Sequence, residues 1–252
     1  MFCDIRINQE VDTKISCLFF LSILALKLMI ISYYGHSCFK IETKPGGRGA
    51  LERLTIYLDP FEAKIGLKPP SGRADLVLVT HQHYDHNNVK ALRGEYFLIE
   101  NPGEYAYHGI SITGVKTFHD SSQGAERGAN TAFVLESEDI RICHLGDLGQ
   151  KIEKNDIESF ESIDILMIPV GGKYTIGPKE AAEMVRLLEP VIVIPMHYKT
   201  GGSNIDILGP KEFYEELGHV PEGKTSKLVL KKNQLKEGSM TVIEMAVGNG
   251  GA

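Results

Sequence analysis

The 252-residue chain is poor in cysteine, and none of its four cysteines forms a C-x-x-C pair. Zinc ribbons and thiol redox motifs need such paired spacing, so neither is predicted. Cys38 and Cys143 lie in the apolar runs "SCFKIE" and "IRICHLG", which is typical of small buried core residues. Because no disulfide framework is indicated, we expect a reducing, cytoplasmic location.

A surplus of positive charge is also missing. The chain has 27 basic and 33 acidic residues, which gives a formal net charge of -6. Proteins that bind nucleic acid usually carry a basic surplus or a basic stripe. The composition therefore argues against DNA or RNA as a substrate.

The sequence has no internal repeats and no low-complexity linker, which favours one domain over residues 29–252. Short apolar runs that end in glycine, proline or polar clusters follow one another from residue 30 onward, and this pattern predicts many strands. Several runs are apolar on both faces, as expected for strands buried between layers. Proline and glycine punctuation predicts helices over 178–190 and 209–218, and a short helix over 87–94.

Residues 1–28 stand apart from this domain as an N-terminal extension. The apolar run at 15–31 is at the short end of what spans a bilayer. Three acids and two bases precede it and no A-x-A follows, which argues against a secretory signal. Three interpretations stay open: an upstream start with Met29 as the true initiator, a membrane anchor, or a helix packed on the domain. We expect membrane contact only if the run is translated.

The stretch "THQHYDHNN" (80–88) concentrates possible metal ligands in six positions. In extended chain, His81 and His83 would point to the same side. Three further candidates each follow a separate apolar run, at the carboxyl ends of strands where layered α/β folds place their sites. The full set is His81, His83, Asp85, His86, His119, Asp147 and His197.

Imidazole and carboxylate ligands suit zinc, manganese or iron(II). Five histidines and two aspartates exceed the needs of one tetrahedral ion, so the sequence favours two ions with a shared carboxylate. The isolated histidines His108, His144 and His219 are expected to be structural.

The histidine stretch resembles the H-x-H-x-D-H signature of the metallo-β-lactamase fold superfamily. Other landmarks follow in that family's order: "LDP" at Asp59, "TFHD" at His119, "HLGDLG" at Asp147 and "IPMHY" at His197. The segments "YYGHSCFKIE", "NPGEY" and "IPVGGKYTIG" are similar to a branch of zinc-dependent hydrolases related to ascorbate-6-phosphate lactonase and N-acyl phosphatidylethanolamine phospholipase D. The resemblance covers nearly all of residues 29–200.

The resemblance implies a four-layer αββα sandwich with two divalent ions, Zn²⁺ foremost and Mn²⁺ or Fe²⁺ as alternatives. It implies that His81, His83 and His119 hold the first ion. Asp85, His86 and His197 would hold the second, and Asp147 would bridge the two. Asp59 would orient the histidine loop by hydrogen bonding.

The implied function is a hydrolase that uses a metal-bound hydroxide on a small anionic ester, lactone or phosphodiester. Asp85 would ligate the second ion and orient or deprotonate the nucleophile. His36 in "GHS" would donate to an oxyanion or leaving group, or make a structural hydrogen bond. Arg127 would grip a phosphate or carboxylate, or be a solvated loop residue. Tyr174 and Tyr198 are expected pocket walls.

Three other functions remain open: a single-iron oxygen-dependent enzyme of the same fold, a nuclease, and a non-catalytic metal-binding module. The complete set of candidate ligands argues against the first. The compact, acidic chain argues against the second.

Overall fold

The computed structural model describes residues 28–46, 53–152, 157–236 and 238–248. Most of the N-terminal extension, including residues 15–27 of the apolar run, lies outside the described residues, as do Cys3 and Cys17. Within the described residues, no helix is long and apolar enough to cross a bilayer.

Strands dominate the described chain, as the sequence predicts. In chain order they are β1 (Met29–Gly35), β2 (Cys38–Thr43), β3 (Leu54–Leu58), β4 (Leu76–Leu78), β5 (Phe97–Ile99), β6 (Gly103–Tyr107), β7 (Ile110–Phe118), β8 (Ala129–Ser137), β9 (Ile140–His144), β10 (Ile165–Pro169), β11 (Ile192–Met196), β12 (Lys224–Thr225), β13 (Lys227–Leu230), β14 (Thr241–Val242) and β15 (Glu244–Met245). The α-helices are α1 (Pro178–Leu188) and α2 (Lys211–Leu217), and 3-10 turns occupy Ala63–Ile65, Val89–Ala91, Ile157–Phe160 and Lys232–Gln234.

Two sheets stack face to face. The first has the order β13-β1-β2-β3-β4-β5 and the second β14-β11-β10-β9-β8-β7-β6, while β12 and β15 form a small separate ladder. Apolar side chains from both inner faces, such as Tyr33 and Phe39 of the first sheet and Phe133 and Met167 of the second, form one continuous core. This arrangement confirms the predicted α/β sandwich.

The outer face of the second sheet is covered by α1 and α2. Ala181, Met184 and Val185 of α1 are buried in the same cluster as Leu166 of β10. The outer face of the first sheet is instead covered by loops and 3-10 turns in the described residues, with Phe61 among the buried side chains there. Cys38 and Cys143 are buried and unpaired, in agreement with the prediction that they are core residues.

Both longer helices are confirmed, but the short helix predicted over 87–94 is only the 3-10 turn Val89–Ala91. The Asn88 backbone N–H donates to the carbonyl of Pro60, and its side chain donates to the carbonyl of Phe61. These bonds tie Asn88 to the chain that follows β3. Its polar groups therefore form tertiary hydrogen bonds in place of the bonds of a regular helix.

The loops that follow several strands lie at one edge of the sandwich, because these strands run in the same direction within each sheet. β9, β10 and β11 run parallel, and β7 runs in the same direction because β8 is antiparallel to both β7 and β9. In the first sheet, β1, β3 and β4 likewise share one direction. The segments that follow these strands carry the candidate ligands.

Candidate metal centre

The histidine loop follows β4 and turns sharply. The backbone N–H groups of His86 and Asn87 both donate to the carbonyl of His83, at 2.9 and 3.0 Å. These bonds form a turn after His83, whereas the extended chain expected at His81–His83 is replaced by bends at residues 80–82. The turn nevertheless brings the rings of His81 and His83 together, with centroids 4.5 Å apart.

Three imidazoles form a first group of ligand atoms. One nitrogen from each of His81, His83 and His119 lies within 4.8 Å of the others. His81 and His119 are buried, while His83 is exposed to solvent. His119 reaches the group because it directly follows the last residue of β7. The structure thus brings together the three residues expected to hold one ion.

Asp147 lies at the junction of this group with a second one. Its Oδ2 atom is 3.1 Å from Nε2 of His119, 3.1 Å from Nε2 of His197 and 3.3 Å from Nε2 of His86. His81 lies farther away, with Nε2 at 4.0 Å. One carboxylate oxygen therefore faces imidazoles from both groups.

The second group differs in one member from the sequence expectation. It comprises His36, His86, Asp147 and His197, all buried. Asp85 lies at its margin, with Oδ2 4.0 Å from Nε2 of His86. Nε2 of His36 lies 3.1 Å from Nε2 of His86 and 3.2 Å from Oδ2 of Asp85, so His36 stands between them.

The hydrogen bonds fix which imidazole nitrogens are free to bind a metal. Asp59 accepts from the Thr80 backbone N–H at 2.8 Å, from the Thr80 hydroxyl at 2.7 Å and from Nδ1 of His86 at 2.8 Å. Since the Thr80 hydroxyl has donated its only hydrogen, it accepts from Nδ1 of His81, 3.0 Å away. The Nε2 lone pairs of His81 and His86 are therefore left for a metal, as in carboxylate-histidine-metal arrangements.

These features fit divalent metal ions. Ligand atoms on a tetrahedron around zinc at about 2.0 Å are about 3.3 Å apart, close to the 3.1–3.3 Å that separates Asp147 Oδ2 from three imidazoles. Nε2 of His81 is buried without a hydrogen-bond partner among the described residues. A cation at this position would satisfy it.

The backbone is strained where it delivers these side chains. His36, Asp59 and His197 have φ values of 58°, 45° and 49°, a region that costs a residue with a Cβ about 1–2 kcal/mol. The His197 backbone N–H donates to the carbonyl of His36 at 2.7 Å, which joins the two sheets at the site. Such strain concentrates at functional sites.

The charges of the centre balance one another. Burial opposes ionisation of Asp147, but the facing His197 and His86 outweigh it and hold the pKa of Asp147 well below its usual range. Burial also opposes charge on His86, but Asp147 and Asp59 raise the pKa of His86 well above its usual value. A divalent cation would take the place of the proton on His86. Burial and His197 lower the pKa of His36 to about 4, so His36 is neutral at pH 7.

Several supporting residues carry no signal in the sequence motif. Asn130 of β8 accepts from the Asp147 backbone N–H at 3.0 Å and donates to the carbonyl of Leu145. Ser37 donates to Oδ1 of Asp147 at 3.4 Å. His144 faces the carbonyl of Ser37 at 2.8 Å, which agrees with its predicted structural role. Only strand pairing brings Asn130 beside Asp147, so a motif search does not find it.

A cavity of about 710 Å³, here called the main cavity, opens over the two groups. Asp85, His119, Asp147 and His197 form its floor, and Lys64, Tyr84, Arg127 and Tyr174 are among its other lining residues. Tyr198, expected as a pocket wall, is instead buried, with its hydroxyl 3.5 Å from the carbonyl of Met245. His36 is buried and is not among the described residues that line the cavity.

The loop 121–128 places Arg127 at the main cavity. Asp120, next to His119, accepts four backbone N–H bonds of 2.8–3.0 Å from Ser122, Gly124, Glu126 and Arg127. These bonds hold the pKa of Asp120 below its usual value, against the opposing effect of burial. The Arg127 guanidinium lies 5.8 Å from the centroid of the Tyr174 ring. No role for Asp120 was predicted from the sequence.

Comparison with known proteins agrees with this geometry. Residues 30–197 match the family model of the beta-lactamase superfamily domain. The chain is 30% identical over 236 residues to a UPF0173 metal-dependent hydrolase of Thermococcus onnurineus, an alignment that covers 82% of this chain and 98% of the relative. It is 32% identical to a UPF0173 metal-dependent hydrolase of Lysinibacillus sphaericus, and this alignment covers 68% of this chain and 86% of the relative.

Among solved structures, a protein of Thermotoga maritima described as a candidate Zn-dependent hydrolase of the metallo-beta-lactamase superfamily is 36% identical. It superimposes with a TM-score of 0.67 over 86% of this chain and 98% of its own. The fold, the matched domain and these relatives show that the chain belongs to the beta-lactamase superfamily and, within it, to the UPF0173 metal-dependent hydrolase family.

Proposed function

We propose that residues 29–252 form a binuclear, zinc-dependent hydrolase domain that acts in the cytoplasm on a small anionic ester, lactone or phosphodiester. One observation carries the proposal: a single oxygen of Asp147 lies within 3.3 Å of imidazoles from both ligand groups. That position suits a carboxylate shared by two ions. His81, His83 and His119 would hold one ion, and His86 and His197 the other.

Two ions held in this way would lower the pKa of a water molecule to near neutrality and polarise the bond to be broken. Asp85 would orient the attacking water or accept its proton, a role supported by its place in the lining of the main cavity. His36, 3.2 Å from Oδ2 of Asp85, would hold that carboxylate in place by donating from Nε2. Its burial favours this positioning role over donation to an oxyanion.

Arg127 supports an anionic substrate. It lines the main cavity together with Lys64, and its planar guanidinium is suited to bidentate contact with a phosphate or carboxylate. Asp120 holds its loop through backbone bonds, so the arginine is presented by an ordered segment. A substrate group that binds to these two cationic side chains would therefore be negatively charged.

The test couples metal analysis of the purified protein to a screen of phosphodiester, lactone and thioester substrates. We expect close to two zinc ions per chain and hydrolysis in at least one class. Asp147→Ala should abolish both, whereas His108→Ala, at a turn away from the centre, should change neither. One iron per chain with oxygen uptake would instead support the single-iron enzyme. Hydrolysis confined to RNA would support the nuclease.

A further inference from the structure

A second cavity of about 430 Å³ adjoins the main cavity and is called here the side cavity. It lies where the chain crosses from β5 of the first sheet to β6 of the second. Residues 100–102 of this crossing form one wall. Lys116 of β7 and Thr131 of β8, which face each other across the strand pair, form another.

The two cavities meet at the first ligand group. Gln82, His83 and Arg127 line both of them, and His81 lines the side cavity as well. His83 is exposed, so a molecule over Asp147 can extend past its ring into the side cavity. The junction lies within the site that the proposed function assigns to the reacting group.

The side cavity carries a surplus of positive charge among its lining residues. The Lys116 ammonium lies 5.4 Å from the centroid of the Phe118 ring and has no carboxylate partner among the described residues. Among the described residues, the acidic partner of Arg127 is the exposed Glu126, at 3.5 Å, and such surface pairs are weak. Glu100 is the one acidic residue among the described residues that line the side cavity, and it accepts from the Gln82 side-chain amide at 2.9 Å. Two cations against one engaged carboxylate favour an anion.

We propose that the side cavity is a second anion-binding subsite, with Lys116 and Arg127 as its cationic residues. The proposal rests on the proposed function and specifies its substrate class: a small molecule with two anionic groups. One group reacts over Asp147, and a carboxylate or phosphate on a short arm lies between Lys116 and Arg127. Pro102 and Ala129 give the subsite apolar wall area, which suits a short hydrocarbon arm.

Calorimetric titration of the metal-loaded protein tests this with two probes, methylphosphonate and 3-phosphonopropionate, which share the phosphonate but differ in an added methylene and carboxylate. We expect the two-anion probe to bind about tenfold more tightly, because of the charge-assisted contacts of the carboxylate. Lys116→Gln should remove most of that preference and leave methylphosphonate binding unchanged. Lys116→Arg should retain it.

Lys227→Gln is the matched control, since Lys227 is also an exposed lysine on a strand but lies on β13, outside both cavities. It should keep the full preference. Equal affinity of the wild-type protein for both probes, no binding of either, or an equal loss in both glutamine variants would overturn the subsite. A preserved preference in a protein that hydrolyses no substrate would refute the proposed function alone. Hydrolysis without the preference would refute the subsite alone.

Discussion

Asp59 orients a histidine in each of the two ligand groups, although it belongs to neither group. It contacts His86 directly and reaches His81 through the Thr80 hydroxyl, so one carboxylate sets the tautomers of two imidazoles that are candidate metal ligands. The sequence predicted the residue and its general role. It did not predict Thr80, because a hydroxyl that links an orienting carboxylate to a candidate ligand has no spacing signature.

Asp59→Asn should weaken metal binding by about 10–100-fold, the usual effect of losing a partner that orients a ligand. The amide oxygen of the introduced Asn can still accept from Thr80. The side chain no longer carries a negative charge beside Nδ1 of His86. Competition with a chromogenic chelator measures the change, and we expect both ions to be affected. Asp164→Asn is the control. Asp164 is also a buried aspartate, but it pairs with Lys232 and contacts none of the candidate ligands. Loss of one ion only would contradict the coupling through Thr80.

At the residue scale, the candidate ligands were predictable because four of them fall within six positions of one loop and the others each end an apolar run. The contacts of His36 could not be predicted in this way. Its place beside His86 and Asp85 depends on a hairpin turn with a left-handed backbone, which the letters "GHS" do not specify. Asn130 was missed for a similar reason, because the β8-β9 pairing alone brings it to Asp147.

At the element scale, strands were more predictable than the short segments between them. Buried strands of five or more residues carry long apolar runs, and α1 carries proline and a buried apolar face. β6, with its mostly exposed side chains, has no such run and was not predicted. The 3-10 turn Val89–Ala91 resembles a helix in sequence, but tertiary hydrogen bonds decide its geometry.

The loop after β9 is held against the end of β7 by a close backbone approach at Gly149. Its N–H donates to the carbonyl of Phe118 at 2.8 Å. A Cβ there would lie 2.2 Å from the carbonyl carbon of His119 and 2.3 Å from the backbone nitrogen of Asp120. Gly149→Ala should therefore separate the segments that carry Asp147 and His119.

We expect Gly149→Ala to lower the free energy of unfolding by about 1–3 kcal/mol, as overpacking does, and to reduce metal content. Urea denaturation and metal analysis measure the two effects. Gly223→Ala is the control, since a Cβ there meets nothing within 4 Å. Full metal content in the Gly149 variant would show that the close approach is not needed for the ligand geometry.

The loop 121–128 offers a second test at the same scale. Asp120→Ala removes the acceptor of four backbone N–H bonds and should release Arg127 from the main cavity. Methylphosphonate affinity should fall, by about as much as we expect for Arg127→Gln, while the metal content is kept. Glu126→Ala, which changes an exposed acid of the same loop, should have little effect. Unchanged affinity in the Asp120 variant would mean that other contacts hold the loop.

At the scale of the whole molecule, the centre joins the two sheets. His36, His81 and His86 come from loops of the first sheet, while His119, Asp147 and His197 follow strands of the second. A metal bound by these residues would therefore crosslink the sandwich at one edge, while the continuous core holds the two sheets together elsewhere. Metal binding and global stability should be coupled in proportion to metal affinity.

Removal of metal by a chelator should therefore lower Tm. A ligand present at 1,000 times its Kd stabilises the native state by about 4 kcal/mol. For a domain of this size, 1 kcal/mol corresponds to about 2–4 °C, so a fall of about 8–16 °C is expected. Differential scanning calorimetry before and after chelation measures the shift, and added Zn²⁺ should restore it. Asp147→Ala should melt near the chelated wild type and respond weakly to Zn²⁺, because the shared carboxylate is gone. An unchanged Tm after verified metal removal would mean that core packing alone fixes the two sheets and that the ions serve only the reaction.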